Sequence, residues 1–100
     1  MIKLKRLIPS QNSEKKFDAV LETDEGREKT VSFGSKNMDD FTLTKDENQK
    51  KRYLARHKAR ENWSDPTTPG FWSRWYLWEK KTKSEALDNI FNKFSQLRRG

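Results

Sequence analysis

The stretch from Trp63 to Trp78 constrains this chain more than any other. All four tryptophans lie in it, with Phe71, Tyr76 and Leu77 between them. Buried Trp and Phe side chains remove about 150–250 Å² each from water and dominate the cores that contain them. The rest of the chain is very polar. Apolar residues make up only 31% of the sequence, a deficit that on its own predicts disorder. A folded domain must therefore be built around this segment. At 100 residues the chain is one domain, with a strand-rich part over 1–44 and a helical part over 45–100.

The strands come first. Ile2 to Ile8 partly alternates, with Ile2 and Leu4 on one face, but Arg6 breaks the pattern. Pro9 to Ser13 reads as a loop. Phe17 to Glu22 is a second strand, with Phe17, Ala19 and Leu21 pointing one way. Thr23-Asp-Glu-Gly26 is a turn, and Glu28 to Phe33 returns as a third strand. Gly34 to Asn37 turns the chain again, and Phe41 to Thr44 is expected as a short strand or extended lead.

Helices follow. Thr44 and Glu47 have the spacing of a capping box, which predicts a helix to about Arg60 or Glu61. Pro66 breaks it. Thr68-Pro69 places an N-cap before proline at the first helical position, opening a Trp-rich helix to about Glu79. Thr82 and Glu85 repeat the box. Behind them Leu87, Ile90, Phe91, Phe94 and Leu97 keep helical spacing, and Arg98-Arg99-Gly100 is expected to fray. The predicted class is α+β: an antiparallel meander of three or four strands, then three helices, with the Trp helix packed between the sheet and the last helix.

Composition narrows the roles. There is no cysteine, hence no disulfide frame and no thiolate metal site. No apolar run is long enough to span a bilayer and no signal peptide opens the chain, so a reducing, soluble compartment is expected. The formal charge of +7 is unevenly placed: net zero over 1–44, +4 over 45–62 and +3 over 63–100. A polyanion would meet the second half.

A resemblance also emerges. Val31-Ser-Phe-Gly34, Asp40-Phe-Thr42, Lys51-Arg-Tyr-Leu-Ala-Arg-His57, Glu61-Asn-Trp63, Asp65-Pro66, Gly70-Phe-Trp-Ser-Arg74 and Leu77-Trp78 occur in this order. Together, over roughly 29–98, they resemble a family of small proteins of unknown function. These are encoded by large double-stranded DNA viruses of algae and protists, and by some phages and microbes. Asn37-Met38 departs from the pattern, where a Gly followed by an aromatic is expected. The resemblance implies a viral origin, with an infected host cell or its virion as the place of action. It carries over no functional residues.

The chemistry-bearing residues gather in the second half. Arg52, Arg56 and Arg60 recur at helical spacing beside Ala55 and Ala59, with Lys51 and Lys58 further round. A helix rises 1.5 Å per residue, so this stripe would extend about 12 Å and meet phosphates along one strand, with little regard to sequence. The competing reading is a solvated face whose arginines pair with carboxylates. Trp72, Trp75 and Trp78 read as core, and Trp63 as the ring left to anchor a partner. His57 with Glu61 one turn on has the elements of a general base, but no nucleophile or metal cluster accompanies it, and packing beside Tyr53 and Leu54 is the simpler role. Asp39, Asp40, Asp46 and Glu47 suit turns and helix caps better than a cation site. The first functional expectation is a non-enzymatic nucleic-acid-binding protein without cofactor. The second is a virion structural or adaptor protein, and the third a small nuclease using His57 and Glu61.

Overall fold

The alternation that fails at Arg6 is restored by a bulge. In the computed structural model, which describes residues 1–100, strand β1 (Ile2–Pro9) pairs antiparallel with β2 (Lys15–Glu22). Leu4 faces Leu21 and Leu7 faces Ala19, but the register shifts between Leu4 and Arg6. The extra residue sends Lys5 and Arg6 outward together and brings Leu7 back to the core face. Both cations then reach Glu28, at 2.9 and 3.4 Å. Strand β3 (Glu28–Ser35) completes the hairpin after a turn in which Gly26 takes φ +79°. Its Phe33 and Val31 stand opposite Phe17 and Ala19.

The fourth strand comes from the other end of the chain. The expected fourth position, Phe41–Thr44, is instead a single helical turn, α1. Asp40 caps it, accepting from the Thr42 N–H at 2.9 Å, and so closes the turn that buries Phe41. Leu97–Arg99, expected as helix end and frayed tail, form strand β4, which pairs parallel with β1. The sheet is therefore mixed, in the order β3-β2-β1-β4. The final helix, α4 (Lys83–Lys93), stops early because Phe94 turns extended, at φ −113° and ψ 100°. That break lets Phe94 and Leu97 both enter the core, which one continuous helix would not allow.

Helix α2 (Glu47–His57) starts later and ends sooner than the sequence suggests. Its cap is Asp46, which accepts from the N–H groups of Asn48 and Gln49 at 2.9 and 3.2 Å. The short carboxylate outcompetes Thr44, whose hydroxyl faces the Asp46 N–H at 3.3 Å. Thr68 caps α3 (Pro69–Trp72) as expected, but the helix then widens into a π-helical turn over Ser73–Leu77. Thr82 caps α4, accepting from the Glu85 N–H at 3.2 Å.

The Trp segment lies between sheet and α4. Phe33 meets Trp72 with ring centres 6.1 Å apart, and Phe71 meets Phe94 at 4.9 Å. Trp72 is fully buried and its Nε1 donates to the Pro66 carbonyl at 2.7 Å. Trp78 is buried as well, while Trp75 is half-buried at the rim. No helix is long and apolar enough to cross a membrane.

Candidate nucleic-acid interface

Helix α2 turns Tyr53 inward and its cations outward. Tyr53 is buried against Trp78, while Lys51, Arg52 and Arg56 are exposed. Because the helix ends at His57, Lys58 and Arg60 lie in the turn that follows, where the Arg60 N–H donates to the His57 carbonyl at 3.1 Å. Both remain exposed. The stripe is thus a helical pair, Arg52 and Arg56, continued by a turn.

None of these cations is in an ion pair. Lys3, Lys5, Arg6, Lys16, Lys50, Arg74 and Arg99 all have carboxylate partners within 4.0 Å. Lys50, on the same helix, is tied to Glu79. Lys51, Arg52, Arg56, Lys58 and Arg60 thus have no carboxylate within salt-bridge distance. They form a local cluster of positive charge.

Beside this face opens a cleft of about 510 Å³, built by β2, β3, the link to α1, α2 and the Trp segment. Arg56 and His57 line it from α2, and Lys15, Lys16 and Asp40 from the sheet side. Arg56 also lines an adjoining hollow of about 390 Å³ together with Arg52 and Trp78. Within the cleft, Lys16 lies 2.5 Å from Asp40, and His57 Nδ1 lies 3.1 Å from Glu61 Oε1. Glu61 packs on Gly70, where a Cβ would come within 3.0 Å of its carboxylate. Burial pushes the Tyr53 hydroxyl well above its ordinary pKa, and the Glu61 charge adds to the effect, so Tyr53 stays protonated.

The remaining sequence candidates have structural settings. Trp63 is half-buried, its ring 5.3 Å from the Arg74 guanidinium and its carbonyl accepting from Trp75 Nε1 at 2.6 Å. Asp40 and Asp46 are helix caps, and no cluster of His, Asp and Glu is disposed to hold a metal ion. Sequence reading missed the cleft wall from β2 and β3. Lys16 and Asp40 are 24 residues apart, and nothing local signals their pairing. It also missed Arg74, which is buried with its guanidinium against the Trp63 and Trp75 rings.

No curated protein and no solved structure matches this chain. One family model matches residues 5–57, covering β1 from Lys5 onward, β2, β3, α1 and α2, and hence Lys51, Arg52, Arg56 and His57. The match stops before Lys58, Arg60 and the Trp segment, so it overlaps only the first part of the resemblance described above. The chain belongs to this family, the Family of unknown function (DUF5754).

Proposed function

We propose that this is a small basic viral protein that binds nucleic acid without catalysis, through phosphate contacts of Lys51, Arg52, Arg56, Lys58 and Arg60. The observation that carries the reading is the clustering of five exposed cations without an ion pair in the ten residues 51–60, while seven of the other seventeen Lys and Arg side chains are paired. Uncommitted guanidinium and ammonium groups clustered along a short segment are what a phosphate backbone neutralises, with release of its counterions. The viral part of the proposal is supported by the resemblance in sequence between Val31 and Trp78, and an infected cell or its particle goes with it as the proposed place of action. His57 and Glu61 are read as packing and orienting groups, because His57 stacks on Tyr53 and Glu61 holds its Nδ1.

The test is binding to DNA and RNA as salt is raised, with Arg52, Arg56 and Arg60 changed to Ala. Each phosphate contact contributes about 0.9 to the slope of log K against log salt on a duplex, so the triple variant should flatten the slope by up to about 3. Equal affinity and slope in parent and variant would overturn the reading.

A second reading, a virion structural or adaptor protein, is favoured by one feature. The outer edge of β3 has no neighbouring strand and is open to an added one. It predicts that the protein stays with particle shells after nuclease removes the genome. Loss with the genome would exclude it.

A further inference from the structure

We propose that the cleft beside α2 takes one unpaired nucleotide of a single strand, its base stacked on His57 and its flanking phosphates on Arg56 and Arg52. This rests on the nucleic-acid reading above and specifies which form of nucleic acid the face prefers.

Three rings form a continuous pile. Trp78 and Tyr53 are parallel within 7°, with centres 4.4 Å apart, and Tyr53 and His57 follow at 4.3 Å and 26°. The first two are buried. His57 ends the pile: its side chain is 41% exposed, it lines the cleft, and Tyr53 is its one aromatic neighbour. A flat ring in that position offers a π-face, and nucleobases of any sequence stack on such faces. The ring is also held in place. Glu61 binds its Nδ1, and Glu61 is itself pressed against Gly70. The stacking surface is thus set before a base arrives, which lowers the cost of ordering on binding.

The two arginines suit a nucleotide's phosphates, although the cleft as a whole is formally balanced, with Lys15, Lys16 and Arg56 against Asp39, Asp40 and Glu61. Lys16 is committed to Asp40, and His57 holds Glu61 Oε1 while Oε2 has no partner. Lys15 and Arg56 are in no ion pair and stay available to a phosphate. Arg56 borders both the cleft and the adjoining hollow that contains Arg52, so phosphates on either side of an inserted base meet arginine. The volume falls within the ~300–1,000 Å³ of small-ligand clefts. A paired base has both faces covered by its neighbours and must leave the stack to enter such a site. The cleft therefore selects unpaired strands.

The test compares anisotropy of a labelled single-stranded oligonucleotide with that of a duplex of the same sequence, for the parent, His57→Ala, His57→Phe and Arg60→Ala proteins. The parent should bind the single strand about tenfold more tightly, the range of one stacked base. His57→Ala should lose that preference while keeping its duplex affinity. His57→Phe, which retains a flat ring, should recover it. Arg60→Ala should weaken both forms alike. Equal binding of both forms by the parent, or an undiminished preference in His57→Ala, would overturn the nucleotide site while leaving the phosphate reading intact. Binding of neither form would remove both.

Discussion

Arg74 donates to Glu79 at 2.8 Å while its guanidinium lies over two indole rings, 4.1 Å from Trp75 and 5.3 Å from Trp63. Glu79 also faces Lys50 at 3.5 Å. One carboxylate thus joins the Trp segment to α2, and it fixes the helix whose other side carries the free cations. Removing it leaves a buried guanidinium uncompensated. Glu79→Ala should cost about 2–3 kcal/mol, less than a fully buried pair because Glu79 is partly exposed. Urea unfolding followed by Trp emission measures the loss.

The same pair gives the protein an acid limit. Desolvation pushes the Glu79 carboxyl up, but the Arg74 hydrogen bond and charge, with Lys50, outweigh it and hold the pKa below the ordinary 4.5. Asp18 behaves alike. Its desolvation is outweighed by hydrogen bonds from Ser10, Ser32 and Gln11, and it sits below 3.8. Groups with depressed folded pKa values contribute stability that is complete above the unfolded values and lost as pH falls through the folded ones. Stability should therefore hold above about pH 5 and decline below about pH 4. Glu79→Gln should show a shallower acid decline in a urea midpoint series across that range.

Two glycines with nearly the same φ should respond differently to alanine. Gly26, at φ +79°, has nothing near its missing Cβ, whereas a Cβ on Gly34, at φ +76°, would sit 2.9 Å from Leu77. Gly26→Ala should cost about 1 kcal/mol for the left-handed backbone alone. Gly34→Ala should cost about 2–3 kcal/mol, because Leu77 must also shift. Thermal melts of the two variants side by side make the comparison.

The C-terminus is structural. Leu97 is buried beside β1, and the Gly100 N–H donates to the Leu4 carbonyl at 2.8 Å. Leu97→Ala should destabilise by about 2–3 kcal/mol. The amide of Ile2, which donates to the Gln96 carbonyl, should then exchange faster with deuterium.

Local chemistry was legible and long-range chemistry was not. Thr68-Pro69, Thr82 and the Gly26 turn announce their roles within a few residues, and each stands where expected. The Trp core followed from the scarcity of other apolar residues. Errors arose where two local solutions competed. Asp46 lies two residues beyond Thr44 and caps better, and Phe41–Thr44 has strand-like residues but follows a capping aspartate. The parallel strand at Leu97–Arg99 depends on a partner at the far end of the chain. The π-helical turn, which accompanies the burial of Arg74, has no composition signature. At the candidate site the cations were visible from spacing alone, but their lack of partners was not, because it depends on where every carboxylate comes to rest.

The most direct test of the account is the salt dependence of binding to a labelled duplex by the parent and by the Arg52→Ala, Arg56→Ala, Arg60→Ala triple variant. The account predicts weaker binding and a slope flattened by up to about 3 in the variant, with the fold intact by circular dichroism because all three side chains are exposed. Matching affinity and slope in the two proteins would contradict it.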